Sequence, residues 1–402
     1  MKNIFKLLTV GSPTINILIT LALFFFSFGQ LARISLPGNA IYVYLYEVFM
    51  YISFFALFLK LGIKPLRQYH TLHKSVRCFF LWVLATTIFS FFYYNADQNA
   101  VAALYLFRLN TYLLLFFYFN SYIYAFPEVK KGFQGVVFIM AIGVIATSLV
   151  QYFFYQDLGN IAYLGWDPHQ YRLVGLFFDP PLTVSILVLF LLFFFLQAYE
   201  KKKIVYLAVS AIFCVLVFLT YSRGGYLALA AVAFFYMFRR LTFAKIGIII
   251  LGIVIVLILL PKGGNESLNL FRTTSIFTRT QDDAIAIDIW KKSPITGIGY
   301  NHIRYEKDKY LAEPIMEEFN PSHASASFHS SFLMILVTSG IVGLALFIWM
   351  LYQFGRENEF AKYSIIFLSV LSLTDNVLLH PLVLFLLFIL VPLYSFIRPS
   401  AT

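Results

Sequence analysis

Residues 203–235, KIVYLAVSAIFCVLVFLTYSRGGYLALAAVAFF, decide the fold class, because two long apolar runs flank a single arginine, Arg223. The first run has roughly the 20 residues that an α-helix needs to cross a bilayer, and the second, which continues to residue 238, is shorter. The rest of the chain repeats the pattern: of its 402 residues, 60% are hydrophobic and only 12% are charged. A soluble protein of this size cannot bury so much apolar surface. The composition therefore predicts an all-α polytopic membrane protein, in contact with a lipid bilayer.

Apolar runs of membrane length predict about twelve transmembrane helices. They lie near residues 14–33, 40–60, 77–94, 101–126, 133–156, 181–199, 203–221, 225–238, 245–260, 329–352, 362–377 and 379–397. One long segment, 261–328, is the only part that reads as soluble. The chain therefore divides into helices 1–9 with short loops (1–260), one large loop (261–328) and helices 10–12 (329–402).

The distribution of lysine and arginine predicts the orientation. Alternate short connections are rich in these residues, at 60–77, 130–131, 201–203, 239–245 and 356–362. The short connections of the opposite side hold only Arg33, Arg172 and Arg223. Since positive charge is retained on the cytoplasmic side, both termini are expected there and the 261–328 loop outside. The same rule accounts for the net charge of +11, so no nucleic acid partner is predicted.

The large loop contains RTQDDAIAIDIWKKSP (279–294), in which Ala284, Ile285, Ile289 and Trp290 recur at helical spacing. This pattern predicts an amphipathic helix near the membrane surface. The following SPITGIGYNHI (293–303) ends it with proline and glycine.

Four arginines of the outer side need an explanation, because an arginine at membrane depth costs roughly 2.5–3.5 kcal/mol on insertion scales. They are Arg172, Arg223, Arg272 and Arg279. In one interpretation, they converge on an anionic ligand, since a guanidinium binds phosphate through two parallel hydrogen bonds and stays charged when desolvated. The two glycines after Arg223 would then let a backbone or a lipid phosphate come close.

The alternative interpretation of these arginines is structural. Arg223 would extend its side chain to the lipid headgroups, and Arg279 would form an ion pair with Asp282 or Asp283 at the start of the amphipathic helix.

A histidine, His329, opens the tenth predicted helix in HSSFLMILVTSGIVGLALF (329–347). Leu333, Leu336, Gly340 and Gly343 follow it at helical spacing and share its face, so His329 is predicted to point into the bundle at its outer end. There it would accept a proton near neutral pH. The alternative is an interfacial histidine that caps the helix or contacts headgroups.

Two further histidines, His302 and His323, share the large loop with several acidic residues. Their spacing fits no zinc pattern, so no metal ligand is predicted.

Four motifs, in this order, resemble those of the O-antigen ligase and O-antigen polymerase superfamily. They are RLVGLFFDPPLTVSIL (172–187), LTYSRGGYLAL (219–229), WKKSPITGIGYNHI (290–303) and the His329 segment. The resemblance covers roughly residues 170–350. One departure is the Asp-Pro-Pro at 179–181 where Asn-Pro-Asn is usual, which leaves the role of Asp179 open.

The resemblance implies a GT-C-like glycosyltransferase of the bacterial inner membrane with its active site facing the periplasm. Its donor would be a glycan on undecaprenyl diphosphate, transferred with inversion and without a metal or other cofactor. The resemblance assigns His329 as the base, and Arg172, Arg223 and Arg279 to the diphosphate. Supporting roles would fall to Arg272, Asp179 and Ser330.

The acceptor defines the activity. An O-antigen ligase transfers the glycan to lipid A–core, whereas a polymerase transfers it to the next lipid-linked repeat unit, and a protein oligosaccharyltransferase is a third option. Dominance of a single outer loop favours the ligase. An alternative of another class is a transporter of lipid-linked sugars. Such a protein should carry charges within many spans, and here only Arg108, in the fourth, is clearly of that kind.

Overall fold

A computed structural model describes residues 2–35, 41–68, 70–164, 169–240, 274–310 and 327–394 of the chain. The described part is nearly all helical, as predicted. Its one sheet is a short hairpin of β1 (Arg33–Ser35) and β2 (Tyr42–Tyr44), in which Ile34 pairs with Val43.

The helices occupy eleven of the twelve predicted apolar runs; the ninth run, 245–260, lies outside the described residues. In chain order they are α1 (Lys2–Phe5), α2 (Pro13–Phe26), α3 (Leu45–Leu61), α4 (Lys64–Gln68), α5 (His70–Ser90), α6 (Ala96–Ala125), α7 (Pro127–Phe154), α8 (Pro180–Lys201), α9 (Ile204–Leu219), α10 (Arg223–Arg240), α11 (Thr274–Lys292), α12 (Ile303–Lys307), α13 (Ser331–Gly355), α14 (Glu359–Leu371) and α15 (Pro381–Tyr394).

Five helices within the described ranges are long and apolar enough to cross a membrane by themselves: α5 from Thr71, α6, α7, α8 and α13. Four shorter apolar helices accompany them, namely α2, α9, α10 up to Phe238, and α15. Helix α8 is the centre of the bundle, since residues on all its faces are buried. Length, apolarity and burial together confirm a helical membrane protein.

The first two predicted spans are longer in the sequence than in the structure. Helix α2 ends at Phe26 and not near residue 33, because Gly29 adopts a positive φ of 51° that stops the helix. A Cβ on Gly29 would lie 2.5 Å from the Leu176 carbonyl oxygen, so the chain passes too close for any side chain. The hairpin follows, and α3 starts only at Leu45, where the Glu47 carboxylate accepts the Tyr44 N–H at 2.9 Å.

The two ends of the bundle carry different charges, in the grouping that the loop pattern predicts. The arginine end, defined by Arg172, Arg223 and Arg279, joins the 156–180 connection to the ends of α9 and α14. The lysine end, defined by Lys6, Lys130 and Lys201, ties α1, α7, α8 and α15 together through bonds such as Lys6–Glu128 at 2.8 Å and Lys201–Gln134 at 3.3 Å.

The helix predicted within 279–294 is confirmed as α11, which packs against α13. Its buried positions are Asp282, Ala286 and Ile289, with Ile285 and Trp290 half-buried beside them. Ala284, expected on this face, is exposed. The helical repeat of 3.6 residues places Ala286 rather than Ala284 on the stripe that continues through Asp282 and Ile289. An acidic residue thus belongs to the packed face of the helix.

The glycines after α11 fit against a break in α13. At Gly340 the backbone leaves helical geometry with φ 67° and ψ −173°, and a Cβ there would overlap the Ile295 carbonyl oxygen. The Ile298 N–H donates to the Val337 carbonyl at 3.0 Å, and the Ile341 N–H to the Pro294 carbonyl at 2.9 Å. The 293–303 segment therefore supplies backbone partners that the interrupted helix lacks. These backbone contacts between 293–303 and the break at Gly340, called the loop seat below, hold this part of the large loop against α13.

Candidate functional site

The N-terminus of α10 carries Arg223 within a tightly packed turn. Ser222 caps the helix: its carbonyl accepts the Tyr226 N–H at 2.9 Å and its hydroxyl the Gly225 N–H at 3.3 Å. A Cβ on Gly224 would meet the Thr374 hydroxyl at 3.0 Å and the Asp375 carboxylate at 3.2 Å. Close approach of helices thus accounts for this glycine, rather than an approaching lipid phosphate.

Arg172 is buried, with only 6% of its surface exposed. Its Nε donates to the Thr220 carbonyl and its Nη2 to the Tyr221 carbonyl, each at 3.0 Å. Both carbonyls belong to the turn between α9 and Arg223, where Tyr221 adopts a left-handed φ of 51°. Since such a backbone is costly for a tyrosine, neighbouring bonds must enforce it. Arg172 therefore holds the turn that presents Arg223.

Arg279, in the first half of α11, reaches across to the turn after α14. Its Nη2 lies 2.6 Å from the Asp375 carboxylate. The alternative ion pair with Asp282 or Asp283 is not formed, because Arg279 is bonded to Asp375 and Asp282 to Lys307 and His329; Asp283 lies only within electrostatic range of Arg279. Arg223 lies within electrostatic range of both Arg279 and Asp375. Two arginines thus share one buried carboxylate.

Asp375, the acid that Arg279 contacts, is buried, with 6% of its surface exposed. Burial raises the pKa of its carboxyl to about 6, against the opposing effects of Arg279 and a 2.9 Å hydrogen bond from the Thr374 hydroxyl. His329 and Arg172 also act on its charge. Asp375 therefore lies where the predicted arginines and the histidine meet.

His329 is bonded to Asp282, which the sequence analysis considered only as an ion-pair partner of Arg279. The Asp282 carboxylate accepts the His329 Nδ1–H at 2.8 Å and the His329 backbone N–H at 3.1 Å. The Lys307 ammonium forms a buried ion pair with the same carboxylate. Burial of Asp282 opposes ionisation, but the bonds from His329 and Lys307 outweigh it and hold the carboxyl pKa below its ordinary value. Asp282 is therefore charged at neutral pH.

The bond to Asp282 also fixes which imidazole nitrogen is free. With Nδ1 carrying the proton, the neutral ring presents a lone pair at Nε2. The His329 side chain is 43% exposed, and within the described ranges its Nε2 makes no hydrogen bond. This arrangement resembles a base oriented by a carboxylate, ready to accept a proton from a substrate hydroxyl.

His329 does not lie on the helix that was predicted for it. Helix α13 begins at Ser331, with Ser330 as its N-cap: the Ser330 hydroxyl accepts the Leu333 N–H at 3.4 Å and donates to the Ser372 carbonyl at 2.9 Å. His329 precedes the cap and points towards α11, not into the bundle along the face of Leu333. Because Ser330 caps the helix, the helical spacing of Leu333 and Leu336 does not extend back to His329.

The remaining predicted residues have separate positions. Asp179 caps α8, where its carboxylate accepts the Leu182 N–H at 3.3 Å, which answers the question that its departure from the usual motif raised. His302 is buried, stacks on Tyr94 at 4.1 Å and bonds Asn99 at 3.1 Å, so its role is in packing. Arg272 and His323 lie outside the described residues.

Sequence reasoning missed Lys307 and did not assign Asp282 to His329. The signal was present in part: Asp282 lies four and seven residues before the buried Ala286 and Ile289, an unusual place for an acid unless it has partners. Its partners lie 25 and 47 residues away in the chain, which no local pattern shows.

Comparison with known proteins finds a family model that is similar to part of the chain. No curated protein matches the chain. Residues 208–348 match the family model described as O-Antigen ligase, a region that contains Arg223, Arg279, Asp282 and His329, whereas Arg172 lies before it. The chain is therefore O-antigen ligase-like over residues 208–348, which confirms the resemblance that its motifs indicate.

Proposed function

We propose that this protein is a glycosyltransferase that moves a polysaccharide from undecaprenyl diphosphate to lipid A–core at the periplasmic face of the bacterial inner membrane. The observation that carries the proposal is the pairing of His329 with Asp282 beside the cluster of Arg223, Arg279 and Asp375. One half of the site suits a proton acceptor and the other half suits an anion. Glycosyl transfer from a diphosphate needs both.

The arginine cluster would hold the diphosphate of the donor. Arg223 and Arg279 offer guanidinium forks that match phosphate oxygens. The N-terminus of α10 adds the favourable end of a helix dipole beside Arg223. Arg172 contributes indirectly to diphosphate binding, because it fixes the turn before Arg223. As the anomeric bond breaks, the leaving diphosphate gains negative charge that these groups stabilise without a metal.

The histidine would accept the proton of the acceptor. In the proposed step, the acceptor hydroxyl oxygen bonds to the anomeric carbon of the donor while the bond to the diphosphate oxygen breaks. The hydroxyl proton passes to His329 Nε2, and Asp282 stabilises the resulting imidazolium through Nδ1–H. A single displacement inverts the anomeric configuration. Lys307 keeps Asp282 charged and in place.

The proposed topology places the arginine end in the periplasm, with twelve spans and 261–328 as a periplasmic loop. The segregation of lysines at the opposite end supports it. The three-part division at 260 and 328 remains part of this proposal.

Arg108, the one residue that the sequence placed clearly as a charge within a span, is ion-paired. Its Nε and Nη2 each lie 2.6 Å from a Glu47 oxygen, so the two charges neutralise one another. Glu47 also accepts the Tyr112 hydroxyl at 2.6 Å. A satisfied ion pair of this kind fixes α3 to α6.

The acceptor is tested by the glycans of a strain that lacks the gene. Loss of long glycan on lipid A–core, with lipid-linked polymer still accumulating, supports the ligase. A glycan ladder that collapses to a single repeat unit would identify a polymerase. Loss of glycan from lipid A–core, with single lipid-linked units retained on the cytoplasmic side and no polymer formed, would indicate a transporter.

A further inference from the structure

A cavity lined by two arginines and several other polar side chains lies at the arginine end, next to the proposed site but separate from it. This cavity is partly open, has a volume of about 210 Å³ and is bounded by α6, the segment after Gly299 and the start of α15. Neither Arg223 nor His329 lines it. The turn after α14 separates the two, since Asp375 pairs with Arg279 on one side and Asn376 lines the cavity on the other.

Two arginines line this cavity, and only one of them has its charge balanced. Arg108 is neutralised by Glu47 through two bonds of 2.6 Å. Arg304, at the start of α12, forms no ion pair with any acid of the described ranges. Its Nε is buried and has no hydrogen-bond partner in the part of the chain that is described. The cavity therefore has a net positive charge, centred on Arg304.

An unsatisfied guanidinium nitrogen is costly to bury, by roughly 1–3 kcal/mol or more for a charged group. Such groups are normally satisfied by water, an ion or a ligand. Because Arg304 also lacks an acidic partner within the described ranges, an anionic ligand would satisfy both its nitrogen and its charge. A carboxylate or a phosphate meets the need, because each has oxygens spaced for the guanidinium fork.

The rest of the lining suits a sugar ring. Tyr105, Tyr300 and Tyr305 supply aromatic faces for its C–H surface and hydroxyls for its polar edge. Asn301 and Asn376 supply amides that both donate and accept. This combination of rings, amides and one cationic fork has the hydrogen-bonding variety that a ring of hydroxyls requires.

His380 adds a neutral donor to the lining. Burial lowers its pKa to about 3, with the charges of Arg108 and Arg33 acting in the same direction. Its Nδ1 accepts the Leu382 N–H at 3.3 Å, so the proton resides on Nε2. The imidazole therefore donates a hydrogen bond without adding charge.

The floor of the cavity is apolar. It is formed by Leu109, Leu379 and Leu384, which also line a smaller apolar cavity of about 30 Å³ beneath it.

We propose that this cavity binds an anionic sugar, one that bears a carboxylate or a phosphate, within a glycan substrate of the enzyme. The anion pairs with Arg304, and the ring lies among Tyr105, Tyr300 and Asn301. The assignment to a glycan substrate rests on the proposed function, whereas the preference for an anionic sugar rests on the cavity alone.

The binding test uses the purified full chain in detergent, with glucuronate, glucose 6-phosphate and glucose as probes in saturation-transfer NMR. Both anionic probes should bind saturably, and glucose at least about tenfold more weakly. Arg304→Gln should weaken anion binding roughly ten- to a hundredfold, the effect of one lost charge-assisted bond. Lys309→Gln removes an exposed cation of the same segment that does not line the cavity, and should change nothing. Equal binding of glucose and glucuronate, or unchanged binding in Arg304→Gln, would overturn the proposal.

Arg304 is a suitable residue to change, because its removal leaves no buried carboxylate unpaired. Arg304→Lys retains the charge without the fork and should bind the anionic probes with intermediate strength. The melting temperature of each variant is measured as a control for folding, and it should lie within a few degrees of the wild-type value.

A kinetic test then identifies which glycan carries the sugar. With donor and acceptor glycans that contain acidic sugars, Arg304→Gln should raise the KM of only one substrate, and that substrate is the occupant. An unchanged KM for both would refute the assignment to a substrate. If the wild-type protein transfers no glycan while glucuronate binding still depends on Arg304, the proposed transferase fails and the anionic sugar site stands.

Discussion

Replacing Asp282 by asparagine tests whether the carboxylate orients His329 as a base. The side chain keeps its shape, but its amide can donate to Nδ1 and thereby move the imidazole proton to Nε2. A ring protonated at Nε2 cannot accept the proton of an acceptor hydroxyl. The step would lose its general base, worth about 10²–10⁴-fold in rate, which equals roughly 2.7–5.5 kcal/mol of activation free energy.

The same change also breaks the buried ion pair with Lys307, and this loss must be separated from the loss of the base. Leaving one partner of a buried pair alone typically costs about 3–5 kcal/mol of stability. Lys307→Gln is the matched control, since it breaks the same pair and leaves Asp282 on His329. It should lower the melting temperature comparably and reduce kcat per folded protein by less than about tenfold.

The assay is transfer from a lipid-linked donor to lipid A–core in detergent, with the folded fraction measured for each variant. In Asp282→Asn, kcat should fall at least about a hundredfold, while the donor KM should change little because Arg223 and Arg279 are intact. A variant that is folded and retains wild-type kcat would refute the orienting role. The orienting role would also be refuted if the kcat of Lys307→Gln fell as far as that of Asp282→Asn.

Three further predictions concern the arginines, the buried acid and the loop seat. Arg223→Lys and Arg279→Lys should each weaken binding of undecaprenyl diphosphate by roughly 1.5–3 kcal/mol, and Arg172→Lys should lower the melting temperature because it loses the fork on Thr220 and Tyr221; full activity of all three would contradict the diphosphate role. As the pH falls from 7 to 5, Asp375 gains a proton, since its pKa is about 6, and the loss of this negative charge beside Arg279 should tighten diphosphate binding relative to Asp375→Asn, in which only the ligand's own titration remains; calorimetry of the two proteins at both pH values measures the difference. Gly340→Ala should destabilise the protein by at least about 2 kcal/mol because of its positive φ and the clash with Ile295, whereas the control Gly143→Ala, in open space within α7, should be neutral or stabilising in thermal unfolding.

The class of fold was predictable because it depends on length and hydropathy. Membrane-length runs identify helices whatever their neighbours are, and the loop charges group the ends correctly. The hairpin at Arg33–Ser35 and Tyr42–Tyr44 was not predictable, because what ends α2 is the approach of Leu176, far along the chain, to Gly29. The break at Gly340 was equally hidden, since its cause is the Ile295 backbone.

The site divides in the same way. Residue chemistry singled out Arg223, Arg279 and His329, because arginine and histidine are unusual beside apolar runs. Their partners follow from packing: Asp375 reaches Arg279 across 96 residues and Asp282 reaches His329 across 47. Helical spacing alone predicted that His329 points into the bundle. In the structure His329 precedes the N-cap, Ser330, and points towards α11.

The most direct test of the central claim is the transfer rate of His329→Ala, measured together with binding of the donor lipid. If His329 accepts the acceptor proton, kcat should fall by about 10²–10⁴-fold while the protein stays inserted and binds undecaprenyl diphosphate as tightly as the wild type, in the presence or absence of EDTA. A loss of only about twofold, well below the size of general base catalysis, or strict dependence of the wild-type rate on Mg²⁺ or Mn²⁺, would contradict the account.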